Sequence, residues 1–244
     1  MTHTTAVATS SSVSQRVIEL NNEAIATAMK GMRQNAVTTL QRALAMLLTL
    51  QNSKDLCNSP SRRNETVPLL AHSIPLLEAP SQDRCSKTLD DVFQFFSRAI
   101  TIPVDDDVDY LNCPHFIARV QTTILYNLGV VCHMEAVCSG SSVLFGNALQ
   151  FYSGAYQVLE GSSRTMGFPA ESMLLLLLAL FNNMGHIHSS ALMNSDKTRQ
   201  CVTWMQSTFA MPLVTRVLAA EEYLFFSQYI CVPASQQLRI SPAA

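Results

Sequence analysis

The chain has 244 residues, with 16 Lys and Arg against 18 Asp and Glu, so its formal net charge is −2 and only 14% of its residues are charged. This balance excludes the phosphate-binding electrostatics of a general nucleic-acid binder. An apolar fraction of 48% excludes a wholly disordered chain. The small number of glycines, 8, argues against a turn-rich sandwich or barrel.

The first residues of the chain and its cysteines indicate the cellular compartment in which the protein is expected. Residues 1–16 lack the apolar core of a secretory signal, and the seven cysteines form no C-x-x-C pair, which favours reduced, mostly buried thiols. The longest apolar run, Met173–Phe181, is too short for a bilayer, which needs about 20 residues. We expect a cytoplasmic protein with no membrane partner; a nuclear or organellar location, with a transit peptide at the start, is the alternative.

Along the chain, the sequence predicts one helical domain between two tails. Residues 1–15, rich in Ser and Thr, and residues 236–244 are expected to be disordered. The domain between them, 16–235, is interrupted by an insertion at 51–112, which holds five of the ten prolines and much of the charge. Part of this insertion, Asn52–Asp83, is also expected to be disordered.

Three stretches outside the insertion predict pairs of antiparallel helices. Each lacks an internal proline and is broken only near its middle, by turn residues. The stretches are Arg16–Leu50 with a turn at Gly31, Pro114–Glu160 with a turn at Ser139–Ser142, and Pro169–Met211 with a turn at Asn194–Asp196.

Short strands are predicted at two further places. Val92–Pro103, inside the insertion, is aromatic and β-branched at its ends. Pro212–Val232 begins as a helix, but its second part, Tyr223–Val232, has the same strand-like composition. The expected fold class is therefore all-α, with about three helix hairpins, a long insertion and a small accessory β-hairpin.

The first helix of each pair carries the same short pattern: large apolar, any, Asn, any, small. It occurs at Leu20–Ala24, Leu125–Gly129 and Phe181–Gly185. The large and small residues are four apart and share a helix face, while the Asn is turned about 160–200° away from both. The small residue allows a second helix to approach closely.

The second helices carry a matching small–large–small pattern. It occurs at Ala36, Leu40 and Ala43 in the first pair, at Ala148, Tyr152 and Ala155 in the second, and more loosely at Cys201, Met205 and Thr208 in the third. With Ala24 and Gly31, these positions of the first pair resemble the tetratricopeptide repeat, a family of 34-residue helix pairs stacked into a right-handed superhelix. The second pair is about seven residues too long and the third about four. The resemblance covers about 125 of the 244 residues.

The resemblance implies a concave groove, lined by the first helices, that binds a peptide or protein segment. In many family members an Asn on that helix hydrogen-bonds the ligand backbone, and Asn22, Asn127 and Asn183 match it. The alternative is that these three Asn cap or bridge neighbouring helices. By the family pattern, the groove would also be lined by Tyr126, Val130, His133, Asn182, His186, Asn21, Ile25, Ala28, Met29, Thr123 and Ser189.

This lining contains no Lys or Arg, so it suits an apolar or amphipathic segment. Family members that bind a terminal carboxylate use cations at these positions, so we do not expect that activity here. The insertion at 51–112 is itself a candidate occupant. The expected partner is thus a protein or peptide rather than a nucleic acid. Whether the chain also forms homo-oligomers stays open.

No pattern of catalytic residues stands out. The sequence has no Walker loop, G-x-S-x-G elbow or H-E-x-x-H motif. His186 and His188 lie about 200° apart on a helix, and Cys132 and His133 about 100° apart, so neither pair is suited to one metal ion. We therefore expect a non-catalytic interaction module or scaffold without a metal or cofactor. The alternative is a small enzyme that uses a Cys or His on a helical scaffold.

Overall fold

A computed structural model of the chain describes residues 3–52, 72–76, 93–103, 114–166 and 173–230. Its regular secondary structure is helical apart from two short strands, so the all-α prediction is confirmed. The helices are α1 His3–Met29, α2 Arg33–Asn52, α3 Pro114–Ser139, α4 Ser142–Met166, α5 Leu174–His186, α6 Ser195–Phe209, α7 Val214–Val217 and α8 Ala220–Ile230, with a π-helical turn at Ile187–Ala191. The strands are β1 His72–Pro75 and β2 Arg98–Thr101.

The chain divides into two compact units, where the sequence suggested one domain over residues 16–235. The first unit comprises Met1–Glu78 and Ser97–Pro169, and therefore holds α1 to α4 and both strands. The second unit comprises Ala79–Phe96 and Ala170–Ala244, and holds α5 to α8.

The first unit contains two of the predicted helix pairs. α1 packs on α2 and α3 packs on α4, and α2 also contacts α3. Ala24, Ala36, Leu40 and Ala43 are all buried between the helices of the first pair. Gly31, at the turn, has a φ of +80°, a backbone conformation that costs glycine little and other residues more.

The second pair, α3 and α4, approaches closely at the predicted small residue. A Cβ atom on Gly129 would overlap the ring of Tyr152 in α4. Tyr152 is fully buried, as are Ala148 and Ala155 on either side of it. The expected role of the small position, to admit the partner helix, is therefore confirmed in this pair.

The second unit contains the third pair, α5 and α6, joined by the π-helical turn. α5 is apolar around nearly its whole circumference, as is typical of a helix that is covered on most sides. Asn194 caps α6, because its side chain accepts a hydrogen bond from the Lys197 backbone N–H at 3.1 Å. Cys201 and Met205 in α6 are both buried.

The β1 and β2 strands pair antiparallel within the first unit, in a register that places Ser73 opposite Ile100 and Ile74 opposite Ala99. The strand predicted within Val92–Pro103 is thus confirmed. The strand predicted at Tyr223–Val232 is wrong, because residues up to Ile230 belong to α8.

The wrong strand has a physical explanation in the packing of α8. Phe226 is fully buried while Leu224 is 66% exposed. The rings of Phe225 and Phe226 both lie 4.9 Å from that of Phe96, between ring centroids. These contacts outweigh the preference of aromatic and β-branched residues for strands, which depends strongly on context.

The three predictions of disorder meet the structure in different ways. α1 begins at His3, so most of the predicted tail 1–15 lies in a helix, and no Pro or Gly interrupts residues 3–29. Within Asn52–Asp83, only residues 52 and 72–76 are among those described, and the predicted tail 236–244 lies outside them.

Candidate functional site

Two predicted Asn side chains in the first unit bind the backbone of the extended segment that contains β2. Asn127, on α3, accepts a hydrogen bond from the Ile100 N–H and donates one to the Ile100 carbonyl, both at 2.9 Å. Asn22, on α1, accepts from the Ile102 N–H at 3.1 Å and donates to the Ile102 carbonyl at 2.8 Å. Each amide therefore closes a pair of hydrogen bonds on one residue.

The other edge of the same segment faces β1. Leu76 donates its backbone N–H to the Ser97 carbonyl at 3.0 Å, and the register pairs Ala99 with Ile74. Consecutive strand residues point their backbone groups to opposite edges. The backbone N–H and carbonyl groups of the even-numbered residues therefore point towards the helices. Among them, the Arg98 carbonyl accepts a hydrogen bond from the Tyr126 hydroxyl at 2.9 Å.

The second unit repeats this arrangement on its own residues. Asn183, on α5, accepts from the Phe96 N–H at 2.9 Å and donates to the Phe96 carbonyl at 3.1 Å. Its neighbour Asn182 donates to the Gln94 carbonyl at 2.7 Å. All three Asn of the repeated pattern therefore hold backbone in the same two-bond manner.

The side chains of the segment are largely buried. In the first unit Ala99, Ile100 and Ile102 are at most 4% exposed. In the second unit Phe93 and Phe96 are at most 3% exposed. The helices therefore bind the main chain with amides and enclose apolar side chains around it.

Gly185, the small residue of the third pattern, has a different role from Gly129. A Cβ atom on Gly185 would overlap the ring of Phe93, whereas Gly129 makes room for a helix. The prediction that this position admits the partner helix is wrong for Gly185, because the space is filled by Phe93, a side chain of the insertion.

The alternative interpretation, that the Asn residues bridge helices, also has support. Asn127 donates its second amide hydrogen to the Asn21 side-chain oxygen at 2.9 Å, and this bond links α3 to α1. Asn21 in turn approaches the Ile100 carbonyl with its amide nitrogen at 3.3 Å. Asn127 thus bridges two helices and holds the segment at once.

The remaining predicted lining residues divide between the segment and other surroundings. The His186 ring lies 6.0 Å from that of Phe95, between centroids. His133 is fully buried, and its Nδ1 lies 3.3 Å from the Tyr152 hydroxyl in α4. Val130, Ile25, Ala28 and Thr123 are buried, Met29 is 52% exposed, and Ser189 donates to the His186 carbonyl at 3.1 Å.

The sequence predicts the insertion as a candidate occupant but does not indicate which of its residues fill the site. Phe93 and Phe96 lie in Val92–Pro103, a stretch whose composition indicates only a strand. Their i, i+3 spacing, followed by the alternating Ile100 and Ile102, is the pattern by which they could have been found.

The titratable groups in the described ranges include two buried thiols. No group of three His, Cys, Asp or Glu there could hold a metal ion. Burial raises the pKa of the Cys132 thiol to about 11 and that of Cys201 to about 12, which keeps both neutral near pH 7. Cys138 is exposed, so the expectation of buried thiols does not hold for it.

Comparisons with known proteins do not assign this site, since no protein-family model, no curated protein and no solved structure matches the chain. Among the described residues, no helix is both long and apolar enough to cross a membrane.

Proposed function

We propose that the chain is a non-catalytic protein–protein interaction module whose Asn-bearing helices hold an extended protein segment. The observation that carries this proposal is the pair of 2.9 Å hydrogen bonds between Asn127 and the backbone of Ile100. A side-chain amide both donates and accepts, so it satisfies one residue of an extended chain in the way a neighbouring strand would.

The proposal includes a tetratricopeptide-like arrangement of the helix pairs and a cytoplasmic location. The positions of Asn22, Asn127 and Asn183 on the first helix of each pair support the former, as do the buried small residues between the helices. The amides are uncharged, so binding of this kind depends little on salt.

Affinity capture tests the proposal. Protein captured by the wild-type chain is compared with that captured by Asn127→Ala plus Asn183→Ala, and by Asn35→Ala, a control at an exposed Asn of α2. We expect a partner that is recovered with the wild type and the control but lost at least tenfold with the double variant. Equal recovery with all three would show that these Asn residues do not mediate binding.

Loss of fold would mimic loss of binding, so helix content is measured by circular dichroism for every variant. Asn22→Ala provides a milder change, because Asn22 is only partly buried. If that variant keeps its helix content, we expect it to reduce recovery of the same partner, and unreduced recovery counts against the proposal.

A further inference from the structure

The first unit binds its own strand through groups that any extended chain offers. Asn22, Asn127 and Tyr126 all bond to backbone atoms of the segment. A hydrogen bond to the main chain does not depend on the side chain that follows, as in recognition by strand addition. The polar part of this surface therefore does not distinguish its own segment from another chain.

Selectivity at this surface comes from the enclosed apolar side chains. Ala99 is 0% exposed, Ile100 1% and Ile102 4%, while Arg98, which precedes them, and Thr101, which separates the two Ile, are half-buried. The space thus suits a small residue followed by two β-branched or similar apolar residues with one residue between them. A segment with this pattern would meet the same contacts as the strand now bound.

The strand that occupies the surface belongs to the same chain, which makes it a competitor. A segment of the same chain is present at an effective concentration of the order of millimolar. An outside segment with equal contacts, at about ten micromolar, would then occupy only about one hundredth of the molecules. Release of the internal strand is therefore needed before an outside segment binds strongly.

We infer that residues 97–103 act as an internal pseudo-ligand, and that α1 and α3 take in their place an extended segment of a partner protein with the pattern small–β-branched–x–β-branched. This inference rests on the proposed function and adds the partner's chemistry and an autoinhibitory contact to it. Binding by the intact chain is held down by its own strand and rises when that strand leaves.

The test uses a fluorescent peptide with the sequence of residues 97–103, SRAITIP, and the full chain. Its dissociation constant is measured by anisotropy against the wild type and against Ile100→Pro. The proline removes the N–H that donates a hydrogen bond to the Asn127 side-chain oxygen, but it leaves the residues of α1 and α3 unchanged. We expect the peptide to bind Ile100→Pro at least about tenfold more tightly than the wild type.

Two double variants establish where the peptide binds. In the Ile100→Pro background, Asn127→Ala removes the amide and should weaken peptide binding by about tenfold, since two buried hydrogen bonds are lost. Asn35→Ala, at an exposed position of α2, should leave the dissociation constant within twofold. If Ile100→Pro does not fold, Ile102→Ser replaces it, because that change keeps the backbone donor and removes only apolar burial.

Three results with the peptide would overturn the inference, and so would a fourth result on the oligomeric state. The first is equal affinity for the wild type and the released variants, the second is no peptide binding to any of them, and the third is binding that does not depend on Asn127. A concentration-dependent dimer of the wild type that Ile100→Pro abolishes would assign the surface to a second copy, and so would also overturn it. Partner capture that still depends on Asn127 and Asn183 would leave the proposed function standing in each case.

Discussion

Asn127→Ala is the substitution that most directly disturbs the hold on the internal strand. The wild-type side chain is fully buried. It makes three hydrogen bonds, two with the backbone of Ile100 and one with the side chain of Asn21, each at 2.9 Å. Alanine removes all three but fits the same space in α3, since it is smaller and favours a helix.

The expected loss of stability follows from the groups that remain. Ile100 is 1% exposed, so its N–H and carbonyl would lose their partner on α3 where water has little access. A buried polar group without a partner costs about 1–3 kcal/mol, and the Asn21 side-chain oxygen, which is also buried, loses its donor as well, so three such groups cost about 3–9 kcal/mol. The Ile100 carbonyl keeps a longer contact, 3.3 Å, with Asn21, which places the expectation in the lower half of that range, about 3–6 kcal/mol.

Urea unfolding followed by circular dichroism measures this loss, with Asn35→Ala as the control. The control should change the free energy of unfolding by less than about 0.5 kcal/mol, because its side chain is exposed. The single tryptophan lies in α6 of the second unit, so its fluorescence separates that unit's transition from the first. A change below about 0.5 kcal/mol for Asn127→Ala would refute the claim that its amide carries the strand.

Three further predictions concern packing and protonation, each checked by urea unfolding. Gly185→Ala should destabilise the second unit by about 1–3 kcal/mol, because the new Cβ meets the ring of Phe93. Its control is Gly146→Ala in α4, where the new Cβ meets open space, and this change should be neutral or stabilise by up to about 1 kcal/mol. A change of the same sign for both variants would contradict the packing argument. Phe96→Ala should cost about 3–5 kcal/mol and shift the tryptophan transition, since its ring is buried against α8, and an unchanged midpoint would place the ring elsewhere. The pKa of the Cys201 thiol is raised from 9.0 to about 12 by burial, so the folded state holds the thiol proton more tightly than the unfolded state does. This contribution to stability is full below pH 9 and is lost as pH rises from 9 towards 12. Cys201→Ala should flatten the dependence of stability on pH above pH 9, and a dependence identical to that of the wild type would show that the thiol is not buried.

The helix pairs and the residues of the first helices could be predicted because their signals are local. Gly31 and Asn194 mark turns by their own conformational and capping preferences, and both lie at helix boundaries in the structure. The Asn of the repeated pattern was predicted to face away from the partner helix, and Asn127 does so while it binds Ile100. Periodicity alone contains this information.

The features that escaped prediction depend on contacts between distant parts of the chain. Phe226 lies in a stretch with strand-like composition, but it is part of the helix α8, where its side chain packs beside Phe96. Gly185 appeared equivalent to Gly129, yet the group that needs its space, Phe93, is 92 residues earlier in the sequence. No local pattern specifies which distant residue fills such a space.

The central claim is that Asn amides hold the backbone of an extended segment, and hydrogen exchange at single amides measures this directly. In the wild type, the N–H groups of Ile100 and Ile102 should both exchange slowly. In Asn127→Ala, studied where the chain is still folded, exchange at Ile100 should accelerate much more than at Ile102, which Asn22 still holds. Fast exchange at both in the wild type, or protection at Ile100 that survives the loss of Asn127, would contradict the claim.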